Sequence, residues 1–236
     1  MDRPTERRAH ARSALVWESL LPLLERGSQA VLDIGGGSGA FAVRVAEAGQ
    51  AVMLVDPSPD AVAAAERRAA ERGVDGLLST AVGDLDSLAE LAPGPYDLVL
   101  CHDVLGVAAD ASAALDQVRG VLRPGGHLSL LVGQLQAAIL SKVVAGHLEQ
   151  ALELAQGTSD DLPRRFEYGQ ILALVEQAGF SVEQVHGVRV FADSVPSAVI
   201  DSDPVAYAQL VELERSVASR PEFAAWAAQL HVLARL

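Results

Sequence analysis

The densest chemistry in the chain is the run Val31-Leu32-Asp33-Ile34-Gly35-Gly36-Gly37-Ser38-Gly39. Glycines between an apolar strand and a helix let the backbone turn tightly and approach a ligand with no Cβ in the way. Gly35, Gly37 and Gly39 are the positions expected to use that freedom. Dinucleotide-binding loops look similar, but the last glycine of that fingerprint is missing, with Ala40 or Ala42 at its place. Asp33, just before the loop, suits a cationic ligand better than a pyrophosphate. S-adenosyl-L-methionine carries an ammonium and a sulfonium and no phosphate, and so meets both conditions.

Two more acids follow at strand ends. Asp56, followed by Pro57, closes a second apolar run 21 residues after Gly35, where a carboxylate can accept from both hydroxyls of a ribose. Val82-Gly83-Asp84 ends a third run, where a carboxylate can accept from an adenine amino group. Either aspartate alone is equally well read as a helix N-cap. Together with the glycine loop, each at the carboxyl edge of a strand, they favour a bound nucleoside.

His102 ends a fourth apolar run and is the first candidate for a general base if the substrate is a hydroxyl or an amine. A carboxylate substrate is already ionised at neutral pH and needs cations instead. The forked guanidinium suits that role, and Arg164, Arg165 and Arg189 are the candidates. Arg189 is also compatible with a surface ion pair, and Arg164-Arg165 with a solvated loop. His147 and His231 read as structural histidines. Cys101 is the sole cysteine, so neither a disulfide framework nor a sulfur-rich metal site is expected, and no metal is assigned.

The elements that position these residues alternate. Strands are expected over 30–34, 51–56, 77–82, 96–102 and 127–132. Helices are expected over 11–25, from the glycine turn to 48, over 59–72 and over 112–121, with a turn at Arg123-Pro124-Gly125-Gly126. Such alternation implies right-handed crossovers and a parallel sheet covered on both faces; the unbroken apolar run at 96–102 fits a strand buried on both sides. Beyond Val132 the pattern reads as one long helix over 136–156, a polar stretch over 157–167, a helix over 170–178, a strand within 180–191, a helix over 205–219 and a last strand over 230–234. The expectation is one domain over 1–236, an α/β, Rossmann-like, doubly wound and mostly parallel seven-stranded sheet with a helical cap insertion. Its parts are an N-terminal helix (1–28), a cofactor-binding core (30–133), the cap (134–170) and a segment completing the sheet (171–236).

Half of the 236 residues are hydrophobic and the net charge is −13, from 18 basic and 31 acidic residues. That balance disfavours non-specific nucleic-acid binding, which rests on Lys and Arg. No stretch reaches the apolar length needed to span a bilayer, and the N-terminus lacks the apolar core of a signal peptide. A reducing, cytoplasmic setting is expected.

Three segments, Asp33 to Gly39, Tyr96 to His102 and Val121 to Gly126, resemble in order and spacing the recurring motifs of the class I methyltransferase family. More narrowly, the chain is similar to the bacterial tRNA 5-carboxymethoxyuridine methyltransferases, through Val144-Ala145-Gly146, Gly187-Val188-Arg189-Val190-Phe191 and His231-Val232-Leu233-Ala234-Arg235. The resemblance implies methyl transfer from S-adenosyl-L-methionine, with cofactor contacts from Arg12, Gly35, Gly36, Asp56, Val82, Gly83, Asp84 and His102. It implies a carboxylate on a wobble uridine of tRNA as the acceptor. The loop after the cap helix departs from the family's lysine-rich pattern: Asp160 and Asp161 stand in it, and only Arg164 and Arg165 keep positive charge. A small-molecule methyl acceptor, or cofactor binding without turnover, therefore stays open beside tRNA.

Overall fold

The structure is a computed structural model describing residues 4–159 and 163–236, with side chains described for 14–159, 163–196 and 198–236. The first half runs α1 (Pro4–Leu24), β1 (Ala30–Ile34), α2 (Ala40–Glu47), β2 (Ala51–Asp56), α3 (Pro59–Arg72), β3 (Leu78–Val82), α4 (Leu88–Leu91), β4 (Tyr96–His102), α5 (Ala111–Val121) and β5 (Leu122–Gly133). A helical pair follows, α6 (Leu135–Val144) and α7 (Leu148–Gln156), then α8 (Tyr168–Gln177) and β6 (Ser181–Val188). Last come α9 (Ser197–Ser202), α10 (Pro204–Val217), α11 (Pro221–Ala224) and β7 (Gln229–Arg235).

Among the described residues the strands form one seven-stranded sheet in the order β3-β2-β1-β4-β5-β7-β6. β1 through β5 pair in parallel, and β7 alone runs antiparallel to its neighbours β5 and β6. The order reverses between β1 and β4, which opens a crevice outside the carboxyl ends of those strands.

Period-two alternation sorts the side chains. Leu98 and Leu100 of β4 pack with Val31, Leu54 and Leu233 against Val16 and Leu20 of α1, Val45 of α2 and Ala65 of α3. Val99 and Cys101 face the other way, against Leu115 and Val118 of α5 and Ile171 and Val175 of α8. Both faces of β4 are thus covered, which explains its unbroken apolar run. Each fully buried Leu contributes about 2 kcal/mol to holding these layers together. Caps set the helix starts: Ser58 accepts from Ala61 N for α3, and Asp110 accepts from Ser112 N and Ala113 N for α5.

Three expectations need correction. The turn at 123–126 lies inside β5, because Leu122 pairs with Tyr96 across a register shift and Gly125 N and Gly126 O pair with the chain end at Leu236. The single long cap helix is two helices, broken where Gly146 takes a φ of 80° and His147 N turns back to Lys142 O. The short helices α4, α9 and α11 have no counterpart in the expected pattern.

Candidate functional site

The glycine loop leaves β1 at its carboxyl end, and Gly35, Gly37 and Gly39 all take positive φ, at 66°, 53° and 72°. At Gly35 a Cβ would run into the Val104 side chain, and at Gly36 it would meet Asp33 Oδ2 and Leu54 at 2.8 Å. The two therefore let the loop pack closely on Val104, Asp33 and Leu54 while its other side borders the cavities. Gly39 serves another end: a Cβ there would meet Ala65 at 2.7 Å, so this glycine lets α2 pack against α3.

Two cavities meet at this loop. The outer one, of about 590 Å³, is walled by Ile34, Gly35, Asp56, Pro57, Gly83 and Asp84, with Val104, Val107 and Ala113 giving it an apolar side. The inner one, of about 370 Å³, is walled by Asp33, Gly35, Gly36, Phe41, Arg189 and Gln229. Gly35, His102 and Asp103 border both. A third space, of about 490 Å³ under α6, shares Arg189 with the inner cavity and adds Gln134, Arg165 and Trp226.

The acids differ in their surroundings. Asp56 is buried, with Oδ2 accepting from Gly37 N at 2.8 Å and Oδ1 from Ser58 N at 2.9 Å. It is no helix cap, since Ser58 caps α3; each oxygen keeps lone-pair capacity for a ribose hydroxyl. Asp84 is exposed, and its Oδ1 holds the turn into α4 through Asp86 N and Ser87 N. Asp33 is 2% exposed, and its Oδ2 has no hydrogen-bond partner. Burial, and secondarily the charge of Asp56, push its carboxyl up to about 7. The free oxygen of Asp33, beside the inner cavity, leaves room for a donor or a cation.

His102 lies on both cavities, with Nε2 held 2.8 Å from Ser129 Oγ and the ring edge-on to Phe41. Burial pushes its imidazole down to about 4. Arg189 stands at the mouth between the inner cavity and the cap space with a φ of 61°; Asp103, φ 60°, is the other non-glycine residue at positive φ among those described. Strained backbone of this kind concentrates at functional sites. Arg189 pairs with Asp193 at 3.2 Å while its Nε is buried without a partner. The turn behind it is clamped by Glu214 of α10, whose carboxylate accepts from Val190, Phe191 and Ala192 N at 2.8–2.9 Å.

Not every expected residue joins the crevice. Val82 is half exposed and off the cavity wall, and Gly37 acts through its N–H on Asp56. Arg164 is not free for a substrate: its guanidinium donates to Ala108 O and Ala109 O and ties the loop to the outer cavity wall. Arg165 does reach the cap space, lying over Gly133. The side chain of Arg12 falls outside the described residues. Asp103, Gln229 and Glu214 escaped the sequence reading. Asp103 accepts both contacts from Gln229 Nε2 at 2.7 Å, a pairing across 126 positions that no local pattern signals. No group of histidines, cysteines and acids able to hold a metal occurs among the described residues, and no described helix is long and apolar enough to cross a membrane.

The glycine turn and the two buried aspartates thus lie together at the carboxyl ends of β1 and β2, where open α/β sheets bind their ligands. Residues 32–128 match the family described as "Methyltransferase domain". The chain belongs to the class I S-adenosyl-L-methionine-dependent methyltransferases. It is 32% identical over 232 residues, 95% of this chain and 87% of the relative, to the tRNA 5-carboxymethoxyuridine methyltransferase of Escherichia coli (strain K12). It is 28% identical over 179 residues, 76% of this chain and 74% of the relative, to the ubiquinone biosynthesis O-methyltransferase of Xanthomonas euvesicatoria pv. vesicatoria (strain 85-10). The fold is shared with an S-adenosylmethionine-dependent methyltransferase from Mesorhizobium loti (TM-score 0.62, 22% identity, 97% of this chain and 100% of that one). It is shared too with magnesium protoporphyrin IX methyltransferase from Synechocystis PCC 6803 with bound SAH (TM-score 0.61, 19% identity, 97% and 82%). S-adenosyl-L-methionine, when bound, would supply a methyl group already activated on its sulfonium, leaving the chain's own residues to hold acceptor and methyl in line.

Proposed function

We propose that the chain methylates a carboxylate oxygen, forming the methyl ester of 5-carboxymethoxyuridine at the wobble position of tRNA. The supporting observation is the pairing of an unsuited base with a fitting cation. A histidine pushed down to about 4 is a poor match for deprotonating a hydroxyl, and a carboxylate needs no base. Arg189, with its buried and unpartnered Nε at the mouth of the inner cavity, can hold one carboxylate oxygen while the other attacks. Arg165 borders the same cap space. The similarity to the Escherichia coli tRNA 5-carboxymethoxyuridine methyltransferase runs along 95% of the chain and includes the segment that carries Arg189.

In the proposed arrangement Gly35, Gly36, Gly37, Asp56, Gly83 and Asp84 hold the nucleoside end of the cofactor and Asp33 its ammonium, with His102 at the junction. The test is transfer of labelled methyl to tRNA from a strain lacking the ester. Label that appears on the wobble uridine supports the reading, and unlabelled tRNA with active cofactor binding refutes it. A second reading, a small apolar metabolite as acceptor, is favoured by the net charge of −13 and by Leu140, Val144 and Trp226 around the cap space. It predicts turnover indifferent to salt, whereas tRNA turnover falls steeply as salt rises.

A further inference from the structure

Beyond the contact of His102 with Ser129, a buried polar row continues across the sheet. The sheet register sets His102 of β4 beside Leu131 of β5, Leu131 beside His231 of β7, and His231 beside His186 of β6. Directly paired residues share a face of a sheet, as do residues two apart in a strand. The three histidines and Ser129 therefore lie on one face, the one α1 covers. Ser129 and His231 are fully buried. Ser129 Oγ lies 2.8 Å from His102 Nε2 and 2.9 Å from His231 Nε2. His231 Nδ1 lies 3.5 Å from Ser19 Oγ, and the Ser19 hydroxyl donates to Val16 O at 2.7 Å.

The hydrogens can be assigned by counting, because a hydroxyl has one to give and a neutral imidazole has one. Ser19 gives its hydrogen to a carbonyl, which can only accept. Towards His231 it can only accept, so the arrangement that satisfies both groups puts the His231 proton on Nδ1. The Nε2 of His231 is then a lone pair that takes the hydrogen of Ser129. Ser129 in turn can only accept from His102, whose proton sits on Nε2. What remains is the Nδ1 lone pair of His102, on a ring that borders both cavities. Burial and the two neighbouring imidazoles keep His231 neutral by pushing it well below its usual range.

We propose that Ser129, His231 and Ser19 are positioning residues that lock His102 in its neutral Nε2–H tautomer, so that Nδ1 accepts a hydrogen bond from a donor group of the bound cofactor. The inference rests on the methyl-transfer reading of the crevice. It divides the labour there: a lone pair repels an anion, so the acceptor's charge falls to Arg189 and the cofactor's donor to His102.

The experiment is long-range proton–nitrogen NMR on protein labelled with 15N-histidine, assigned with His102→Gln and His231→Gln, alongside calorimetry of S-adenosyl-L-methionine. Wild-type protein should show His102 protonated on Nε2 and His231 on Nδ1, each as a single tautomer. Ser129→Ala should turn His102 into a tautomer mixture and weaken cofactor binding roughly five- to tenfold, the size of one ordinary hydrogen bond. Ser129→Thr, which restores the hydroxyl, should recover both. His102 protonated on Nδ1 in the wild type overturns the proposal, as does Ser129→Ala with tautomer and affinity unchanged. If Ser129→Ala fails to fold, the wild-type spectra decide alone. Neither measurement uses a methyl acceptor, so a wrong acceptor leaves this result standing, whereas wild-type protein that binds no cofactor sinks the methyl-transfer reading itself.

Discussion

The proposed cofactor side and the proposed acceptor side of the crevice are built on different principles. On the cofactor side, backbone does most of the work: three positive-φ glycines turn the chain after β1. Asp56 is fixed by the N–H groups of Gly37 and Ser58, 19 and 2 positions away. On the acceptor side, side chains from remote parts of the chain do it. Arg189 depends on Glu214 of α10, and Asp103 on Gln229 of β7. A shared cofactor can be met by a short local pattern, while an acceptor is met by residues that only the folded sheet brings together.

That contrast can be broken by variants on each side. The largest effect is expected from Gly35→Val, which adds both a collision with Val104 and a disfavoured backbone conformation; cofactor affinity by calorimetry should fall about 100-fold or more. Arg189→Ala should lower kcat/KM for the acceptor by roughly 30- to 100-fold, as for loss of a charged hydrogen-bonding partner, and leave cofactor affinity within about twofold, the size of an ordinary surface change. If Arg189→Ala weakens the cofactor as much as the acceptor, the two sides are not separate.

Asp33 gives the comparison a pH axis. Its carboxyl is raised from 3.8 to about 7, so the folded chain retains a proton there that the unfolded chain has released. The associated stability is complete below about 3.8, is lost as pH climbs to about 7, and changes no further above it. A bound ammonium favours the ionised acid, so cofactor affinity should rise with pH towards 7, by up to about tenfold per unit. Asp33→Asn should flatten both trends, raising the melting temperature of the free protein at pH 8 while weakening the cofactor. Affinity that keeps its pH slope in Asp33→Asn would remove Asp33 from the site.

Smaller still, Arg164→Ala should change acceptor kcat/KM by less than about threefold, because its guanidinium serves exposed carbonyls. A loss as large as that of Arg189→Ala would place Arg164 on the substrate after all.

Legibility follows the same divide. The strands over 30–34, 51–56 and 96–102 stand where period and burial put them, and the glycines after Asp33 take the positive φ that their type permits. The break in the cap at Gly146 was missed because a glycine inside an apolar helical pattern costs only about 1 kcal/mol and so does not by itself end a helix. The strand character of 123–126 was missed because Gly125 and Gly126 find their partner at Leu236, at the far end of the chain. Arg165 and Arg164 are neighbours in sequence, yet one borders the cap space and the other ties down a loop, a difference set by what each direction meets.

The amino-acid sequence by itself determined the alternating strands and helices, the thin turn after Asp33 and the acids at the strand ends, because conformational freedom and period are properties of neighbouring residues. Only the tertiary structure decided that one oxygen of Asp33 has no partner, that Glu214 clamps the turn bearing Arg189, and that His102, Ser129 and His231 meet in one buried row. Burial and hydrogen-bond direction arise from groups far apart in the chain, and they exist only once the sheet has closed.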